Sequence, residues 1–169
     1  MKEIIREARI EDSYSIAKIK VESWNVAYKG IVNDKYLKNL SIEVEAEKRS
    51  KRFKEVPPFY VYEENNVIKG FIWCGQISEE DDIKYENIFE IFAIYVNPDD
   101  KCKGIGTKLI NFAQSEAKRQ NYNKVSLWCF KDNFLGRKFY EKNLGKLNGE
   151  TIIEVGEQDI TEVRYEFNV

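Results

Sequence analysis

Lys101, Gly104 and Gly106, set at spacings of three and two between an apolar run and an amphipathic segment, are the residues best placed to receive a phosphorylated ligand. The stretch 91–107 reads IFAIYVNPDDKCKGIGT. Its β-branched and aromatic start is of strand type, it breaks at Asn97-Pro98, and its glycines fall where a helix should begin. Helix N-termini leave N–H groups without intrahelical partners and carry partial positive charge, and glycine lets a phosphate come close to them. A dinucleotide fingerprint is excluded because Leu109 stands where a third glycine belongs; a P-loop is excluded because Gly106 is followed by Thr107 and Lys108. A second group is Asn133, Gly136 and Tyr140, at i, i+3 and i+7. On a helix they share one face and span roughly 10 Å, enough to line one wall of a site. Asn133 suits an N-cap, Tyr140 by itself suits an amphipathic face, and Gly136 inside a helix costs about 1 kcal/mol relative to alanine, which suggests close approach by another group.

Composition narrows the classes. The 169 residues, 43% hydrophobic and 14% aromatic, predict one globular domain over 1–169. Lys plus Arg (27) against Asp plus Glu (29) gives a net charge of -2 without a basic run, so no nucleic-acid partner is expected. The N-terminus lacks an apolar signal core, and no stretch approaches the roughly 20 apolar residues of a membrane span; a soluble, cytoplasmic protein without a membrane partner is expected. Histidine is absent and Cys74, Cys102 and Cys129 are scattered, which excludes a His-dependent triad and argues against any bound metal. Cys74 and Cys129 read as small core residues, whereas Cys102 in the glycine loop reads as a modifiable thiol or a bystander.

The remaining chain supplies elements to position these residues. Residues 3–8 read as a strand, followed by a helix with Glu11 and Asp12 in its first turn and Tyr14, Ala17, Val21, Trp24 and Tyr28 on one face, ended by Gly30. Short helices over 34–40 and after Ser41 lead to Pro57-Pro58. Strands over 59–63 and 67–77 form a hairpin around Glu64-Asn65-Asn66; 78–87 is a solvated loop carrying the acidic run 79–82; and 88–96 is the strand that feeds the glycine loop. A helix from Ile105 through Leu109, Phe112 and Ala113, a strand over 124–130, a helix over 133–144 stopped by Gly145, and strands over 151–155 and 161–168 complete the order. Hairpins at the start and a crossover later imply an α/β (α+β) fold with a mixed sheet.

Lys101-x-x-Gly104-x-Gly106 after a strand resembles the pyrophosphate-arm loop of the GNAT superfamily of acetyl-CoA-dependent N-acetyltransferases, usually Arg/Gln-x-x-Gly-x-Gly/Ala. Leu127-Trp128-Cys129-Phe130 leading into Asn133-Phe134-Leu135-Gly136-Arg137-Lys138-Phe139-Tyr140-Glu141-Lys142-Asn143-Leu144-Gly145 resembles the family's strand-Asn-x-x-Ala-x-x-x-Tyr-Glu-Lys-x-Gly motif. The two occur in the family's order and the likeness covers essentially the whole chain, implying a mostly antiparallel GNAT-type sheet of about seven strands flanked by helices. Lys101, Cys102, Lys103 and, after Gly145, Lys146 depart from the usual pattern.

The resemblance implies acetyl-CoA as cosubstrate and no metal. Pyrophosphate would rest on the N–H groups of Cys102, Lys103, Gly104, Ile105, Gly106 and Thr107, beside Lys101; the acetyl carbonyl and pantetheine would meet Ile94, Tyr95 and Val96; Asn133 and Gly136 would line the cofactor wall. Tyr140 resembles the phenol that protonates the departing thiolate, and Glu90 stands where some members carry a catalytic base, with Tyr95, Tyr85 and Glu86 as weaker alternatives. Trp24 and Tyr28 resemble acceptor-cleft aromatics and could equally be core. The acceptor is an amine of a small molecule, a polyamine or a peptide N-terminus; a homodimer stays open, and so does a CoA-binding sensor or partner-binding module that has lost catalysis.

Overall fold

β-Branched and aromatic runs build most of the seven strands: β1 (Glu3–Glu7), β2 (Phe59–Glu64), β3 (Val67–Gln76), β4 (Ile88–Val96), β5 (Lys124–Phe130), β6 (Lys146–Glu154) and β7 (Asp159–Asn168). The computed structural model describes residues 2–53, 58–76 and 87–169. Tyr85, Glu86 and the acidic run 79–82 therefore lie outside the described residues. The strands form one sheet in the order β1-β2-β3-β4-β5-β7-β6. Neighbours are antiparallel except β4 and β5, which run parallel and are joined by a helical crossover. The sheet is mixed, as the sequence implies. The β2–β3 hairpin turns on Asn65 and Asn66, both at positive φ (51° and 64°), a conformation that asparagine tolerates and that matches the twist of the flanking strands.

Five helices among the described residues cover the two faces: α1 (Ser13–Ala27), α2 (Asp34–Lys38), α3 (Ile42–Lys51), α4 (Ile105–Arg119) and α5 (Phe134–Lys142). On one face α4 buries Leu109, Ile110, Ala113 and Ala117 against Ile72, Phe89, Val125, Leu127 and Tyr165. On the other, Ile16 and Ile19 of α1 pack on Val61 and Phe71, while Val32 and Leu37 join Phe130, Val155 and Ile160 near the end of the sheet. Those positions correct the expected α1 face in part: Ala17 and Val21 are buried as expected, but Tyr14 is exposed, and Ile16 and Ile19 are buried instead.

Local corrections have local causes. Asp12 does not act through the macrodipole alone; it takes a bidentate grip from Arg6 (2.7 and 3.1 Å) and the Arg9 N–H (2.7 Å), while Arg6 also holds Glu63. This ties β1, β2 and the start of α1 together. The helix expected to stop at Gly30 ends at Ala27, with Gly30 at φ +82° in the following turn. Strand β6 starts five residues before the expected 151, because Lys146 and Leu147 already pair with β7. After α5, Leu144 rather than Gly145 takes the left-handed conformation (φ +68°). Gly145 is needed for another reason: a Cβ there would lie 2.9 Å from the Phe167 ring and the Tyr140 carbonyl.

Candidate active site

Parallel pairing between β4 and β5 runs from Ile88–Lys124 to Ile91–Leu127 and stops, although β4 continues to Val96 and β5 to Phe130. The cause lies on the other edge of β4. Trp73 opposes Ala93 and Cys74 opposes Ile91, so Phe92 is an extra residue, a bulge that bends β4 away from β5. The split opens a cavity of about 40 Å³ lined by Tyr28, Ile91, Phe92, Ala93, Ile94, Tyr95, Leu127, Trp128, Cys129, Asn133 and Tyr140. The Asn97 N–H donates to Lys69 O at 2.8 Å. By alternation along the ladder, Tyr95 and Ala93 turn their backbone groups toward β3, so the N–H groups of Ile94 and Val96 face the opened side.

Beyond β4, Asn97 caps a short 3-10 turn by accepting from the Asp99 N–H at 3.0 Å, and the chain reaches Gly104, the N-cap of α4, at φ +81°. No side chain caps α4, and its first helical bond is Lys108 N–H to Gly104 O. The N–H groups of Ile105, Gly106 and Thr107 thus have no intrahelical partner, and a Cβ on Gly104 would meet nothing within 4 Å. Gly106 has a different reason from the one expected: a Cβ there would lie 2.8 Å from Phe139 Cζ, so its absence lets α5 pack on the first turn of α4. Lys103 is engaged by Asp100 at 2.8 Å, while Lys101 and Cys102 are exposed and Cys102 is held at φ +62°.

Asn133 is the N-cap of α5, its Oδ1 accepting from the Gly136 N–H at 3.1 Å. It is also the group that approaches Gly136, since a Cβ there would stand 2.5 Å from Asn133 Nδ2. Tyr140 packs its ring against Phe139, Tyr165 and Phe167 and turns its phenol end into the cleft. Burial, helped by nearby Cys129 and Tyr95, pushes that phenol far above the usual tyrosine range, so it stays protonated at neutral pH. Trp24 Nε1–H donates to the Tyr95 hydroxyl at 2.9 Å, and Tyr28 is hydrogen-bonded to the same oxygen. Burial raises both phenols. Tyr28 lines the cavity, whereas Trp24, packed edge-on against Tyr28, does not; Glu90 opposes Gly75 and Ser126 one residue before the last β4–β5 pair, also outside the cavity lining. Phe92, Trp128 and Cys129 are lining residues that the sequence reading did not assign, and they are the residues just past the last β4–β5 pair. The Cys129 thiol is pushed up to about 12 by burial and is not a nucleophile at neutral pH.

The sequence that builds this split strand pair and uncapped helix start matches a described family. The model of the Acetyltransferase (GNAT) family matches residues 7–146. The chain belongs to this family. As a GNAT protein it is an acyltransferase that draws its acyl group from acetyl-CoA. YuaI of Bacillus subtilis, an uncharacterized N-acetyltransferase, is 29% identical over 130 residues, 76% of this chain and 72% of that one. Spermidine N(1)-acetyltransferase of Thermoplasma acidophilum is 26% identical over 168 residues, 96% of this chain and 97% of that one. Among solved structures, the PaiA N-acetyltransferase of Thermoplasma acidophilum in complex with coenzyme A superposes with a TM-score of 0.69 at 23% identity over 100% of both chains. The structure of yncA of Salmonella typhimurium with acetyl-CoA gives 0.72 at 19%, over 99% of this chain and 94% of that one. These two likenesses are of fold. Among the described residues no group of His, Cys, Asp and Glu is placed to hold a metal ion, and no helix is long and apolar enough to cross a membrane.

Proposed function

We propose that this GNAT protein moves the acetyl group of acetyl-CoA onto a primary amine of a small molecule, a polyamine or a peptide N-terminus, with Tyr140 as the acid of the reaction. The observation that carries the reading is the β4–β5 split holding a protonated phenol directly ahead of an uncapped helix start. The spermidine acetyltransferase relative supports an amine acceptor. The residues fit the cosubstrate: the α4 N–H groups suit a pyrophosphate, and the Ile94 and Val96 N–H groups suit the acetyl carbonyl and the amides behind it. When bound, acetyl-CoA supplies an activated acyl carbon and a thiolate leaving group.

The chain's own groups then do the following. The Ile94 N–H polarises the carbonyl as the amine nitrogen forms its bond to carbon. Tyr140 gives its proton to the sulfur as the carbon–sulfur bond breaks, and regains, through water, the proton that the nitrogen loses as it becomes an amide. Glu90 takes the proton the ammonium must lose before its lone pair is free, directly or through water entering at the end of the split. Asn133 and Gly136 fix the start of α5, which sets where the Tyr140 hydroxyl stands. The test is release of free CoA thiol from acetyl-CoA with a panel of monoamines, polyamines and peptides. Amine-dependent release is expected. Binding of acetyl-CoA without release for any amine would assign the chain to a CoA-binding module instead.

A further inference from the structure

Glu162 is a half-buried carboxylate that the reaction above leaves without a task. On β7 it stands opposite Phe130 of β5 and Thr151 of β6, and residues opposite one another in an antiparallel ladder share a face. The Phe130 ring lies 4.6 Å from that of Tyr28 and 6.0 Å from that of Trp24, so Glu162 shares its face of the sheet with the aromatic group that also bears Tyr95. Its charge is felt at Tyr95 and at Cys129, both of which line the cleft.

No cation answers it. Lys131 is committed to Glu150 at 2.8 Å, Arg164 to Glu166 at 2.8 Å, and Arg137 to the Tyr165 hydroxyl and the Lys131 carbonyl. Among the described residues the Glu162 carboxylate makes no hydrogen bond or ion pair. Glu166, four residues along on the same face, shows the contrast: despite burial, contacts with Lys124 and Arg164 hold it below the usual carboxylate range, while burial alone holds Glu162 above it. A desolvated carboxylate lacking a counter-ion is unfavourable in the unliganded protein, and an incoming cation relieves that cost. Aromatic faces beside it add attraction for an alkylammonium.

We propose that Glu162 selects the acceptor: its carboxylate pairs with the charged nitrogen of a diamine or polyamine whose other nitrogen, in the cleft between Tyr28 and Tyr140, receives the acetyl group. A monoamine has one nitrogen to offer and cannot satisfy Glu162 and react at once. The choice of reacting nitrogen rests on the acetyl-transfer reading; the ion pair does not. Calorimetric titration of the CoA-saturated protein with spermidine and with propylamine, on the unmutated chain and on Glu162→Gln, tests the pairing without turnover. Spermidine affinity should fall by roughly tenfold or more in Glu162→Gln, about the loss of one partly buried ion pair, and the unmutated chain should bind spermidine more tightly than propylamine, which can fill only one of the two places. In the thiol-release assay the KM for spermidine should rise by the same factor with kcat retained. Glu162→Gln should melt no lower than the unmutated protein at pH 7.5, because it removes an uncompensated charge, so weaker binding is not unfolding. Equal spermidine affinity in both proteins, propylamine binding the unmutated chain as tightly as spermidine, or no spermidine binding by the unmutated chain would overturn the assignment. Glu162-dependent spermidine binding without thiol release from any amine would uphold the cation site and remove the acetyl-transfer reading.

Discussion

Thr107→Glu would place a carboxylate at the third position of α4, among the N–H groups proposed to hold pyrophosphate. The substitution separates ligand binding from folding. An acidic residue in the first turn of a helix is favourable by about 0.3–1 kcal/mol, and a glutamate three residues after the N-cap can reach back to the N-cap N–H, so the unliganded fold should be undisturbed. Gly106→Glu lacks this advantage, since any Cβ there meets Phe139 at 2.8 Å. With a rise of about 1.5 Å per residue, the new carboxylate stands within roughly 5 Å of an anion seated on Ile105 and Gly106. Like charges at that distance near a protein surface repel by ~3 kcal/mol, or ~2 kcal/mol for an exposed side chain that can swing away, which is roughly 30-fold in Kd. Acetyl-CoA at about 100 times its Kd stabilises by ~2.7 kcal/mol, a rise in Tm of about 5–10 °C for a chain of this size. The variant at the same ligand concentration should rise by only about 2–3 °C. Scanning fluorimetry of both proteins with and without acetyl-CoA decides the matter. An undiminished shift in Thr107→Glu would refute the placement of pyrophosphate on α4.

Tyr140→Phe keeps the ring packing and removes the hydroxyl; turnover should fall roughly 10²-fold with CoA affinity nearly intact, and steady-state kinetics beside titration calorimetry would show an unchanged kcat if the role is wrong. Because burial holds the Tyr140 phenol so high, the unmutated enzyme should show no falling alkaline limb from this group up to about pH 10, and a rate that declines there would place the acid elsewhere. Glu90→Gln should lower turnover and move the rise of rate with pH to higher pH, since the neutral amine must then come from solution; an unaltered profile would exclude Glu90 as base. Asp12→Asn should cost about 3 kcal/mol at pH 7 by leaving Arg6 short of a partner. Burial works against the Asp12 charge, but contacts with Arg6 and the Arg9 N–H hold its pKa below the usual value, so its contribution is full above about pH 4 and fades as pH falls through the folded pKa. Urea unfolding of both proteins should therefore converge toward low pH, and a constant difference would contradict the linkage.

The succession of strands and helices along the chain and the two motif regions were legible because they rest on local patterns: the apolar, β-branched and aromatic run in 88–96, helical spacing from Ile105 to Ala113, and turn residues such as Asn65-Asn66. The reasons behind particular glycines were not, because they depend on contacts between distant segments. Gly106 yields to Phe139 and Gly145 to Phe167, contacts that spacing does not reveal; Gly136 is the local exception, yielding to the Asn133 side chain three residues before it. Tyr14 fits a helical stripe with Trp24 and Tyr28 but falls outside the area the sheet covers. The bulge at Phe92 leaves no composition signal, so the residues it exposes on β5, Trp128 and Cys129, were quoted within a motif without being assigned to the cleft. Glu162 alternates with Val163 and Tyr165 as a solvent-facing residue would, and only the packing of Trp24 and Tyr28 over Phe130 shows that this face is partly covered. Glu90 fell on the paired side of the split rather than in the cavity lining, a distinction of one residue along β4.

Acetyl transfer at the split is tested most directly by following acetyl-CoA and a polyamine together with the unmutated protein and Tyr140→Phe, measuring free thiol and the mass of the amine in the same reaction. Thiol and monoacetylated amine rising in a one-to-one ratio, and slowing together by roughly 10²-fold in the variant, is the predicted result. Thiol released without acetylated amine, or equal rates in the two proteins, would contradict it.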